Sequence, residues 1–321
     1  MKRKLLIGSL VSAVFLYLAL RDIEWGVLWS VLKNTRLLYL VPAIGFTMLG
    51  HYSRAYRWRF MLLPVKSIAT TSLFSATAIG FMANNLLPAR LGELVRAYVL
   101  GRKEQISRTA SFATIVYERI VDVFSLLVLL WVTFAKVSGP EWLRTTAIWI
   151  LVVNVVAFVV MLVMERSRNT VRRLVSKIVG PFPGEFQAKI HRVTEAYLAG
   201  LAVIAKPKTL LPIALTSVPV WFFAILGVYY CFGALDMHVP VMANVTVIIL
   251  VAMGSMIPSA PAYLGTTQYA CIVSLAIFGV GKSEALAYSL LYHATQFFPI
   301  TLVGFFLLWR AEIRFEEITK A

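Results

Sequence analysis

Charge is scarce in this 321-residue chain, at 14% of residues, and acidic charge is scarcest, with 15 Asp and Glu against 31 Lys and Arg. A soluble domain carries roughly 25% charged and 45–50% apolar residues. Here 60% are hydrophobic and the mean hydropathy is +0.79, which excludes a water-soluble fold as the first reading. Cysteine is reduced to Cys231 and Cys271, both inside apolar runs, so no disulfide framework is implied and both are assigned to the core. Four histidines and two separated cysteines leave little from which to build a metal site, and neither metal nor cofactor is expected. The chain lacks an HExxH helix and a GxSxG elbow. Gly279-Val-Gly-Lys-Ser283 resembles the end of a P-loop, but Ala276 stands where that motif requires its first glycine.

What the chain does have is apolar runs near 5–20, 37–60, 109–135, 144–164, 208–232 and 284–309, each close to the ~20 residues that span a bilayer core. Two further stretches, 67–101 and 241–280, are apolar but interrupted by Pro, Gly and polar residues. The basic residues fall in the connectors between runs, which is a topology signal rather than a nucleic-acid stripe. With the N-terminus inside, segments 2–4, 54–66, 90–108, 166–208 and 310–320 hold 24 of the 31 Lys and Arg. Six lie outside, at Arg21, Lys33, Arg36, Lys136, Arg144 and Lys282, and Arg119 falls within a span.

Parity then requires 67–101 to be a hairpin entering from the inside and 241–280 one entering from the outside. The expected fold is an all-α polytopic membrane protein of about six transmembrane helices plus two re-entrant broken-helix hairpins, N-in and C-in. It forms one membrane domain, 1–321, in two halves, 1–164 and 208–310, joined by a basic connector, 165–207, expected to hold surface amphipathic helices. The first run lacks a small-x-small cleavage site and is read as a retained helix. Opposed broken hairpins suggest an inverted repeat, a common plan of secondary transporters. The expected location is the cell inner (plasma) membrane.

Chemistry concentrates at the first interruption, Asn84-Asn85-Leu-Leu-Pro88-Ala-Arg90-Leu-Gly92-Glu93-Leu-Val-Arg96. Pro88 suits a first helical turn, so the return helix is expected to start there, its free amides and Arg90 forming an anion site. Glu93 stands three residues from both Arg90 and Arg96 and is expected to hold them. Alternatively, these charges neutralise one another and pin the hairpin. Glu118, Arg119 and Asp122 fall near mid-depth, either as a closed ion cluster or as a phosphate-binding Arg119 beside a carboxylate that exchanges a proton or amine. The two readings are compatible. The second interruption offers Pro258, Pro261, Gly265 and Gln268, with His293 opposite, as a hydrogen-bonded core residue or a coupling group. His51, Arg54 and Trp58 are read as an interfacial anchor of snorkelling side chains.

The string from Asn84 to Arg96 resembles the signature of the lysylphosphatidylglycerol synthase transmembrane-region family, the flippase-like domain proteins. Glu118-Arg119-Ile-Val-Asp122, the stretch from Pro258 to Gln268, and His293 support the resemblance, which covers roughly 5–310. Ala262 stands where a glycine is expected and Gln268 where many relatives carry Glu. The resemblance implies a translocase for an anionic phospholipid, polyprenyl phosphate or lipid-linked head group, without the synthase activity of bifunctional relatives. No enzyme activity is expected of this chain. The alternatives are a membrane-embedded lipid-modifying enzyme, or a scaffold for a separate lipid-synthesis enzyme. The implied partner is membrane lipid and not nucleic acid. The sequence does not set the oligomeric state.

Overall fold

Backbone groups inside a bilayer must be satisfied within the protein, and the chain meets this with helices; no strand occurs among the described residues. The structure, a computed structural model, describes residues 2–87, 90–134, 141–203, 207–257, 259–313, 315 and 317. The expected spans appear as α1 (Lys2–Leu20), α3 (Leu40–Leu62), α6 (Arg108–Phe134), α7 (Glu141–Arg166), α10 (Pro207–Ala234) and α13 (Lys282–Arg310). A short helix, α2 (Trp25–Lys33), occupies the connector after α1. Segments 144–166, 208–234 and 282–310 are long and apolar enough to cross a membrane by composition alone. α3 and α6 are of similar length, but their interiors carry Arg54, Arg57, Glu118, Arg119 and Asp122.

Both interrupted stretches are helical hairpins. The first is α4 (Thr70–Leu86) packed on α5 (Gly92–Glu104), and the second is α11 (Val241–Met256) packed on α12 (Thr266–Ala276). The return helix of the first hairpin starts at Gly92 rather than at Pro88, which lies outside the described residues, and Arg90 takes a left-handed conformation with φ +55° before it. The connector holds α8 (Arg168–Val179) and α9 (Gly184–Leu201). α8 keeps the expected surface character, with Leu174 and Ile178 exposed. α9 departs from it: Leu198 and Leu201 are buried where its end packs along α6.

Polar ties at the ends of these elements define two faces. At one, Lys66 and Ser72 both bond to Glu104, closing the base of the first hairpin, and the end of α13 around Arg310 shares a crevice with them. At the other, the Lys282 ammonium donates to the Arg21 carbonyl at 2.5 Å, and the Glu24 amide donates to Ser283 Oγ at 2.9 Å. The end of α12 shares a crevice with Arg21 and Lys282 there. The hairpins therefore enter from opposite faces. The Arg36–Asp236 ion pair of 2.8 Å ties the start of α3 to the end of α10, so these two extensively packed helices run antiparallel.

Exchanging α3–α6 for α10–α13 maps the packing onto itself. The contacts of α3 with α4, α4 with α5, α5 with α6, and α4 with α13 recur as α10 with α11, α11 with α12, α12 with α13, and α11 with α6. The contact of α2 with α13 recurs as α9 with α6. This is the packing pattern of an inverted repeat.

The first hairpin closes through glycine. A Cβ on Gly92 would collide with the Gly80 carbonyl and lie 2.6 Å from the Asn84 amide, and one on Gly80 would lie 2.8 Å from Arg96 Cβ. Backbone opposes backbone here, so nothing can yield cheaply. Gly92→Ala should cost about 1–3 kcal/mol or more, lowering the thermal-unfolding midpoint of the purified protein in detergent; an unchanged midpoint would show that the hairpin opens more readily than its packing implies.

Candidate functional site

Arg54 and Arg57 stand one turn apart on α3, and Glu118 and Asp122 one turn apart on α6. An ionised side chain near the bilayer centre costs ~2.5–3.5 kcal/mol on insertion scales, so each group needs a partner or water. They find one another. Arg57 Nη2 donates to Asp122 Oδ1 at 2.6 Å and Arg57 Nη1 to Ser217 Oγ of α10 at 3.0 Å. Arg54 donates to Glu118 at 3.1 Å and also to Asp122. Arg119 Nη2 lies 2.8 Å from Glu118 and 3.3 Å from Asp122, while its Nε faces Glu93 at 3.8 Å.

Arg96 joins from α5. Its Nη1 lies 2.9 Å from Glu118 Oε2, but the angle is not that of a hydrogen bond, and Oε2 has no aligned donor. The guanidinium stacks 3.7 Å over the Trp58 ring, and Trp58 is held by its indole N–H donating to Thr114 at 2.9 Å. Arg57 and Glu118 are fully buried, whereas the Arg119 side chain is 31% exposed and that of Glu93 23%. The cluster is sealed on the α3 side and open at Arg119.

The two breaks meet beside that opening. Arg90 Nη2 donates to Ser255 Oγ near the end of α11 at 2.8 Å, and its guanidinium stands 5.8 Å over the Tyr263 ring. Ala262, Tyr263 and Gly265 take positive φ of 61°, 57° and 87°, which only Gly adopts without steric cost. Pro261 begins the short 3-10 turn ending at Tyr263, and Pro258 lies outside the described residues. Counting Arg54, Arg57, Arg90, Arg96 and Arg119 against Glu93, Glu118 and Asp122 leaves five cations facing three anions, an excess of two positive charges. Buried guanidinium nitrogens without a hydrogen-bond acceptor remain on Arg57, Arg90, Arg96 and Arg119.

The structure thus gathers Arg90, Glu93, Arg96, Glu118, Arg119 and Asp122 into one region, with one correction. Glu93 faces Arg119 rather than bridging Arg90 and Arg96. Helical spacing does not apply across Arg90, which precedes the first turn. Asn84 and Asn85 serve the scaffold: Asn84 Oδ1 accepts from the Gly92 amide at 2.8 Å, and Asn85 donates to Thr301 of α13 at 2.8 Å. Gln268 and His293 form a separate pair, Nε2 to Nδ1 at 3.0 Å, while Gln268 Oε1 accepts from the Gly265 amide at 2.8 Å. Gly265 lies under α1, where a Cβ would meet the Ser12 carbonyl at 2.6 Å.

Arg54 and Arg57 are the residues that sequence reasoning missed. Arg54 and Trp58 are not interfacial anchors: Trp58 and Arg57 are fully buried, and Arg54 nearly so. The available signal was charge balance, because Glu118 and Asp122 at mid-depth outnumber Arg119 on the same helix.

Removing one partner of a buried ion pair costs roughly 3–5 kcal/mol. Asp122→Asn should therefore lower stability by about that amount, measured by thermal unfolding in detergent, whereas a loss below ~1 kcal/mol would mean that water already screens the cluster.

The family profile described as "Lysylphosphatidylglycerol synthase TM region" matches residues 5–304. The chain is 26% identical to a UPF0104 membrane protein of Methanothermobacter thermautotrophicus, covering 95% of this chain and 94% of that protein. It is 23% identical to a UPF0104 membrane protein of Methanocaldococcus jannaschii over 92% and 91% of the two chains. A protein named glycosyltransferase AglD, from Haloferax volcanii, is 25% identical over 92% of this chain but only 52% of its own length.

Proposed function

Since the chain belongs to the lysylphosphatidylglycerol synthase transmembrane-region family, we propose that it is a lipid translocase moving an anionic phospholipid, polyprenyl phosphate or lipid-linked head group between bilayer leaflets. One observation carries this reading: two positive charges in excess and unsatisfied guanidinium N–H groups stand at the meeting point of two broken hairpins. A purely structural ion cluster would favour charge balance and satisfied donors. Arg guanidinium fits a phosphate because it donates to two oxygens at once. The head group enters beside Arg119 and Arg90 and displaces Glu93 from Arg119, and its oxygens satisfy the free nitrogens of Arg90, Arg96 and Arg119. The scaffold of Arg54, Arg57, Glu118 and Asp122 stays fixed beneath.

The antiparallel repeats support movement by rocking of one half against the other around this point. In this reading the chain itself is not an enzyme, sits in the cell inner (plasma) membrane with both termini inside, and works downhill, coupled to an ion, or with a partner. A second reading has one observation in its favour. The protein named as a glycosyltransferase has about as much chain again beyond the matched half, so the module also fits a scaffold for a separate lipid-modifying enzyme.

Pure protein in phosphatidylglycerol-containing vesicles, with a head-group-labelled lipid and an impermeant quencher, tests the proposal. The native chain should speed exchange between leaflets. Arg90→Ala should reduce it tenfold or more with the protein still inserted, whereas undiminished exchange would remove the first break from the mechanism. No exchange by the native chain would leave the scaffold reading.

A further inference from the structure

At the face opposite Lys282, the base of the first hairpin and the end of α13 border a crevice with about 830 Å³ accessible to water. Pockets for small ligands hold roughly 300–1,000 Å³. Among the described lining residues Glu104 is the one acid, and both its oxygens are taken: Ser72 Oγ donates to Oε1 at 2.6 Å and Lys66 Nζ to Oε2 at 3.2 Å. Arg102 is paired with Glu317. Lys103 of α5 and Arg310 of α13 also line the crevice, and neither makes a hydrogen bond or ion pair among the described residues. Thr71 and Ser75 stand one turn apart on α4 and share a face. Neither hydroxyl bonds to a described residue, although Ser75 is only 4% exposed and a buried hydroxyl ordinarily has a partner.

Two unpaired cations and two unpaired hydroxyls call for an anion rich in acceptor oxygens, and a phosphate ester is that chemistry. The rest of the lining is largely apolar, with the Tyr52 and Phe74 rings 5.8 Å apart and Leu307 and Ile313 beside them. An inorganic ion gains nothing from such a wall, whereas the glycerol and first methylenes of a lipid do. The distribution of Lys and Arg assigns this face to the inside, where basic side chains attract anionic lipid. We propose that the crevice binds the head group of an anionic phospholipid of the inner leaflet. The site is separate from the arginine cluster: Thr71 and Leu86 lie near opposite ends of α4, about 22 Å apart at 1.5 Å per residue, and Arg90 lies beyond Leu86. Its walls belong to both halves of the repeat, α4 and α5 to one and α13 to the other, so a bound head group also bears on the seam between them. This site does not rest on the translocase reading.

The test is the alkylation rate of a cysteine in the crevice, Ala69→Cys, with uncharged N-ethylmaleimide; the native Cys231 and Cys271 are buried. The full chain is compared in nanodiscs of phosphatidylcholine alone and with added phosphatidylglycerol. The anionic lipid should slow the reaction about fivefold or more by occupying the site, while a cysteine at exposed Lys189 of α9 is unaffected. Adding Lys103→Gln and Arg310→Gln should abolish the protection, and Arg310→Gln alone should weaken it if the combined variant does not insert. Arg90→Ala, at the far end of the hairpin, should leave it intact. Equal rates in both bilayers, protection that survives loss of both cations, or protection lost with Arg90→Ala would overturn the proposal. So would equal protection by free glycerol 3-phosphate in phosphatidylcholine nanodiscs, which would assign the crevice to a soluble phosphate instead of a lipid.

Discussion

The helices of this molecule are arranged around two buried carboxylates. Glu118 and Asp122 sit on one face of α6, and the surrounding helices supply the guanidinium groups that make their burial tolerable. Arg54 and Arg57 come from α3, and Arg96 from the return arm of the first hairpin. Arg57 also reaches Ser217 on α10, so the second half of the chain is tied in as well. Replacing such a network by apolar side chains is often neutral or stabilising. Its presence at mid-depth therefore calls for a use beyond stability, and the uneven charge count supplies one.

Much of the architecture was legible because hydropathy and the placement of lysine and arginine are strong constraints in a bilayer. The spans α6, α10 and α13 fall within a few residues of their expected limits, and the two interruptions became hairpins entering from opposite faces. That parity argument needed only the basic stretch after Arg90 and the position of Arg310. The short helix α2 escaped notice because nine residues give too little periodicity, and its exposed Trp25 and Trp29 read equally well as loop anchors.

The site was legible as a set of residues more than as a set of bonds. Helical spacing places Glu93 beside Arg90 and Arg96, but Arg90 lies before the helix starts and the Glu93 carboxylate faces Arg119 of α6. Arg54 and Trp58 near the end of a span look like a snorkelling interfacial anchor, because sequence does not reveal which way α3 is rotated. Its packing against α10 and α6 decides that, and turns both inward. The asparagines were misleading for a related reason. A polar side chain beside a helix break serves the exposed backbone as readily as a ligand, and Asn84 caps the Gly92 amide.

The pairing of Gln268 with His293 also fixes where a proton can sit. The carbonyl oxygen of Gln268 is engaged by the Gly265 amide, so its NH₂ must face the imidazole. Nδ1 of His293 is then an acceptor, and the ring is the neutral tautomer with its hydrogen on Nε2. A hydrogen arriving at Nδ1 would put donor against donor. The amide would have to turn over to receive it, and in turning it would let go of Gly265, the residue just before the first turn of α12. Charge on one ring nitrogen and the shape of the second break are thus alternatives, joined through a single side chain that has no charge of its own.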